Sequence, residues 1–121
     1  YDKWMDLAGD VYDLYRMISA LREDLTVFCL AHTEDYMGKD GTARQRLKTN
    51  GAKLTKLNIE GLSTYTLYTS VARGEEGVNY NFSVQNDGTN TARSPEGVFE
   101  SLLIPNDFET VVNSIQEYEN A

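Results

Sequence analysis

His32 is the only histidine in the chain, and it directly follows a continuous apolar run, residues 25–31 (LTVFCLA). An imidazole at the end of such a run can hydrogen-bond a γ-phosphate or an attacking water, because open α/β sheets gather ligands beyond the carboxyl ends of their strands. Thr33 and Glu34 extend the polar cluster. The same placement also suits a strand-end histidine that caps backbone groups. A second feature is basic: Lys39, Arg44, Arg46, Lys48, Lys53 and Lys56 fall within 18 positions that hold a single acid, Asp40. Ammonium and guanidinium groups on one loop can track a phosphodiester backbone. They equally suit an ordinary solvated loop, or a charge complement to an acidic neighbouring subunit. Tyr36 is the nearest aromatic, so support for base stacking is weak. The third is Arg93, within Asn90-Thr91-Ala92-Arg93-Ser94-Pro95. An arginine held by such turn chemistry can reach a phosphate in a neighbouring subunit, or it can be a plain surface residue.

Other chemistry is excluded more firmly. No GxxxxGK[ST] loop occurs; Gly51-Ala52-Lys53-Leu54-Thr55 is too short and follows no strand pattern. Without that nest of backbone N–H groups there is nothing to cradle a nucleotide's phosphates, so this chain alone is not expected to hydrolyse ATP or to hold a cofactor. One histidine and one cysteine do not make a zinc set, and the acids show no paired spacing that would mark a general acid and base.

These groups need elements to position them. The chain has 121 residues, 40% of them apolar, which suits one compact domain. Net charge is −8, an average that argues against nucleic acid and that hides the basic segment. No apolar stretch is long enough to span a membrane, and a single cysteine, Cys29, read as a small buried hydrophobe, fits a reducing cytoplasm. The start at Tyr1, already inside a helical pattern, suggests an excised piece.

Trp4, Leu7, Val11, Leu14, Ile18 and Leu21 recur every three or four residues and predict a helix over roughly residues 3–22. Residues 25–31 predict a strand covered on both faces. Residues 34–42 read as a mobile loop, and residues 44–58 as a flexible basic loop with a few turns of helix at most. Alternation predicts strands over residues 63–72 and 78–85, joined by a hairpin loop over 73–77. Asn86-Asp87-Gly88 makes a turn, and residues 98–103 suit a short strand. Asn106 and Glu109 are spaced as a capping box for a last helix that buries Phe108, Val111, Val112 and Ile115.

In this order the pieces resemble the second half of the RecA-like ATP-binding proteins that phages encode for DNA recombination. The resemblance covers nearly the whole chain and is most specific at LAHTE (residues 30–34), IEG (59–61) and NTARSPEGVF (90–99). It implies an α/β fold, half of a RecA-like P-loop NTPase core, with an N-terminal helix, buried strand, basic loop, β-hairpin, short strand and C-terminal helix. It implies that His32 with Thr33 takes the sensor position and that Arg93 approaches ATP across a subunit boundary. The loop from about Tyr36 to Lys56 would contact single-stranded DNA. ATP and Mg would belong to the complete protein, a filament or ring in the host cytoplasm. Walker A and Walker B would lie before Tyr1, in an N-terminal half without which no ATPase activity is expected. That leaves the strand over residues 25–31 without its two sheet neighbours, which another polypeptide, or a swapped copy, would have to supply. A non-enzymatic protein-interaction domain is the competing expectation.

Overall fold

The structure is a computed structural model describing residues 3–49 and 59–121, with Trp4 described by its backbone. It divides into two compact units, one of residues 1–35 with 46–63 and the other of residues 36–45 with 64–121.

In the second unit, alternation of apolar and polar residues produces a three-stranded antiparallel sheet of order β3-β4-β5. Its strands are β3 (Tyr68–Gly74), β4 (Gly77–Ser83) and β5 (Leu103–Pro105). The β3–β4 connection is tighter than the five residues expected. Pairing runs through Gly74↔Gly77, leaving only Glu75 and Glu76 in the turn. Gly77 sits at φ 126°, a backbone region that L side chains rarely adopt, so glycine carries the hairpin one step further than hydropathy indicates. β5 comes later than the predicted 98–103 strand; it pairs Ile104 with Phe82 and Leu103 with Ser83.

Register sorts the side chains, since partners across a ladder share a face. Phe82 and Ile104 lie on one face and are buried together with Val84 and Val111; Leu67, Phe99 and Ile115 pack around them. Val111 comes from α2 (Phe108–Glu119), whose N-cap is Asp107 rather than the expected Asn106. The Asp107 carboxylate accepts from Glu109 N at 3.2 Å, satisfying a donor that the first turn leaves open, and from the Thr110 hydroxyl at 2.7 Å. Of the predicted stripe, Val111 is buried and Val112 and Ile115 half-buried. Phe108 is exposed on one side while its ring stacks on Phe82, with centroids 6.1 Å apart.

In the first unit, α1 (Lys3–Ile18) packs on a 3-10 turn, Ile59–Leu62, that buries Ile59. The helix stops earlier than predicted: Ser19 Oγ bonds back to Arg16 O at 2.7 Å, and turn hydrogen bonds carry the chain on to Leu21. Its inward face is also rotated. Ala8 is buried and Val11, Tyr12, Tyr15 and Ile18 are half-buried, whereas Leu7 and Leu14 are about half exposed. Burial raises the pKa of the Tyr15 phenol, with a smaller contribution from Cys29.

The largest correction concerns residues 25–31. They form no strand among the described residues, and Leu25, Val27, Phe28 and Leu30 are exposed, Leu30 at 83%. Cys29 is exposed as well. A run this apolar becomes a strand only where ladder partners meet its backbone, and no described strand does so.

Candidate functional site

The described part of the basic segment does not form the loop expected. Residues 33–47 fold into a two-stranded sheet, β1 (Thr33–Met37) with β2 (Ala43–Leu47). The turn chemistry explains it. Gly38 N donates to Thr42 O at 2.8 Å and Gly41 N to Gly38 O at 2.9 Å, while Gly41 adopts φ 81°. Asp40 Oδ1 accepts from Thr42 Oγ1 at 2.6 Å and from Thr42 N at 3.2 Å. Asp40-Gly41 was the available hairpin signal. It is easily missed because neither strand alternates: both are largely polar and exposed.

The described basic residues of this segment differ in what they meet. Arg44 is taken up by Asp40 at 2.8 Å, and its Nε also reaches Thr42 Oγ1 at 3.1 Å. Arg46 pairs with Glu34 at 3.0 Å. Lys39 and Lys48 are exposed and make no ion pair with a described residue. Lys53 and Lys56 lie outside the described residues. Of the four described cations of this segment, two are therefore partly neutralised where they stand, and Lys39 and Lys48 carry its accessible positive charge.

The sequence places His32 at the end of a buried strand; instead it stands exposed immediately before β1. Its carbonyl accepts from Lys48 N at 2.9 Å, which closes the base of the hairpin. Thr33 is the first residue of β1 and is exposed. Arg93 belongs to the other unit, where it and Thr66 exchange both backbone hydrogen bonds at 2.9 Å. Around it, Ser94 Oγ donates to Val84 O at 2.9 Å and Gln85 Nε2 to Ser94 O at 2.8 Å. The NTARSP segment is thus tied to the sheet at several points, and Arg93 is half-buried.

The Asp40 carboxyl is held down at about 2, first by the two hydrogen bonds from Thr42 and to a smaller extent by Arg44. A folded pKa below the ordinary 3.8 means the ionised turn is favoured above pH 3.8, and that preference disappears as pH falls through about 2. Amide exchange should therefore show Thr42 N protected at pH 4 and progressively released toward pH 2. Asp40→Asn should flatten that dependence. Unchanged protection of Thr42 across this range would show that the carboxylate does not organise the turn.

Among the described residues the chain is a small α/β protein with two helices and two antiparallel sheets, none of the helices long and apolar enough to cross a membrane. No protein-family model, curated protein or solved structure matches it.

Proposed function

We propose that this chain is the DNA-contacting part of a phage-type, RecA-like recombination ATPase, completed by a segment that carries Walker A and Walker B. The observation that carries this reading is the exposed apolar segment at residues 25–31, which ends at His32. Leaving such a run in water forgoes roughly 1.5–3 kcal/mol for each large side chain that could be buried. A partner supplying strands on either side recovers that burial and places the imidazole at the end of a sheet strand. The completing half would bind ATP and Mg; His32 with Thr33 would sense the γ-phosphate, and Arg93 would reach it across a subunit boundary in a filament or ring.

The hairpin supports the coupling. Because His32 O is bonded to Lys48 N, a phosphate contact at the imidazole and a DNA contact on the hairpin act on one element. Such an element, biased from both ends, links nucleotide state to DNA affinity. The test is to mix the chain with a Walker-bearing N-terminal segment of a RecA-like ATPase. A stable complex with DNA-stimulated ATP hydrolysis is the expected result, and failure to associate refutes the reading.

On DNA, Lys39 and Lys48 are the described side chains placed to meet phosphates. In the reconstituted complex, replacing both with Ala should lower single-stranded DNA affinity and reduce the slope of log affinity against log salt by about 1.4, or ~0.7 for each lost contact. An unchanged slope would remove the hairpin from the interface.

A second reading, a non-enzymatic protein-interaction domain, draws on the ion pairs of Arg44 and Arg46 and on the net charge of −8. In it the helix stripe and the β3–β4 hairpin bind a partner protein with no nucleotide site, so the same mixing experiment separates the two.

A further inference from the structure

The face of the β3–β4–β5 sheet opposite Phe82 carries a groove that the ATPase reading does not use. Tyr68 and Ser83 are register partners, as are Ser70 and Asn81, so Tyr68, Ser70 and Ser83 point to this second face. The loop after β4 folds over it: Asp87 Oδ1 accepts from Thr89 N at 2.9 Å, Asn90 Oδ1 accepts from Ala92 N at 2.9 Å, and Gln45 N donates to Thr89 O at 2.7 Å. Between loop and sheet lies a cleft of about 370 Å³, within the ~300–1,000 Å³ range of small-molecule sites.

Its chemistry is narrow. Ser83 is the one buried polar residue among those described, 7% exposed, and it lines the cleft. Among the described residues its hydroxyl has only long contacts, 3.4 Å to Gln85 O and 3.5 Å from Asn90 Nδ2, beyond the ~2.5–3.0 Å of a good O–H···O bond and the ~2.7–3.2 Å of an N–H···O bond. A buried hydroxyl so poorly satisfied has capacity left for a ligand. Around it, Ser70, Gln45 and Asn90 offer groups that both donate and accept. Among the described residues no lysine, arginine or histidine lines the cleft, and the one charge they bring to it is the Asp87 carboxylate. Phosphates and carboxylates would therefore meet the Asp87 carboxylate with no described cation beside it. Leu102 and Leu103 supply one apolar wall.

We propose that this groove binds an uncharged, polyhydroxylated molecule of sugar-ring size, its hydroxyls bonded to Ser83, Asn90 and Gln45 and its C–H face laid on Leu102 and Leu103. Vicinal hydroxyls are the ligand groups that donate and accept at adjacent atoms, as this lining does. The proposal does not depend on the ATPase reading.

Amide chemical shifts of the full chain, followed during titration, test it. The probes are glucose, galactose and maltose, with glucose 6-phosphate and N-acetylglycinamide for comparison. At least one neutral sugar should saturate shifts at Ser83, Asn90 and Leu103, with glucose 6-phosphate several-fold weaker than glucose. Ser83→Ala should weaken sugar binding at least fivefold. Leu102→Asp, at a position 59% exposed and so tolerant of change in the fold, should abolish it. The proposal is overturned if no sugar perturbs these amides at tens of millimolar, if the phosphate ester binds as well as glucose, or if either variant binds like the parent. Tighter binding of N-acetylglycinamide than of any sugar would also overturn it, in favour of a peptide site.

Discussion

Phe82→Ala should remove about 3–5 kcal/mol of stability, the range for truncating a buried aromatic. The side chain is 6% exposed and meets three elements at once. It belongs to β4, lies opposite Ile104 of β5, and stacks on Phe108 of α2 at 12° between ring planes. Val84 and Val111, each 1% exposed, complete the cluster. A cavity at this point touches every part of the small core, so the surroundings have little freedom to collapse into it. Because domains of this size are stable by only ~5–15 kcal/mol, the variant should unfold at a much lower urea concentration. Tyr80→Ala is the control: Tyr80 lies on the same face two residues earlier but is 64% exposed, so its loss should stay within about 0.5 kcal/mol. Equal effects of the two substitutions in urea unfolding would show that the sheet face and helix do not form the core described above.

The second large effect concerns assembly. Leu30→Asp should leave the isolated chain's stability within about 0.5 kcal/mol of the parent, as expected for a surface position, since Leu30 is 83% exposed. In the mixture with a Walker-bearing segment it should instead weaken association a hundredfold or more. The asymmetry has a simple cause. A carboxylate in water is fully solvated, whereas one forced between sheet neighbours loses that hydration, a penalty of several kcal/mol, and each ~1.4 kcal/mol is tenfold in affinity. Leu30→Val, which keeps the apolar surface and favours a strand, should associate nearly as the parent does. Association of Leu30→Asp at parental affinity would mean the segment is not where the two pieces meet.

Hydropathy and turn chemistry were good guides wherever the partner surface lay nearby in sequence. The β3–β4 hairpin and the last helix were both legible, because their pairing and packing partners, Phe82 with Ile104 and Val111 among them, lie within the same stretch of chain. Their boundaries slipped where glycine or a cap outweighed hydropathy: Gly77 lengthened the hairpin, and Asp107, with its carboxylate accepting from Thr110, capped the helix in place of Asn106. The basic hairpin was missed for the opposite reason. With both faces polar, residues 33–47 show no period, and only Asp40-Gly41 marks the turn. Local charge density was read correctly from the sequence, but not its availability, since Asp40 and Glu34 engage Arg44 and Arg46.

By itself, the sequence determined the local features: which stretches alternate, where most turns fall, where cations cluster, and that residues 1–121 contain no GxxxxGK[ST] loop. These depend on a few neighbouring residues and on backbone preferences that act at short range. Only the tertiary structure decided what is buried. Residues 25–31 are apolar enough for a sheet interior yet remain exposed, while Ser83, an ordinary polar residue in sequence, is buried with a poorly satisfied hydroxyl. Burial depends on whether a second surface arrives to exclude water, and that surface comes from residues distant along the chain or from another molecule.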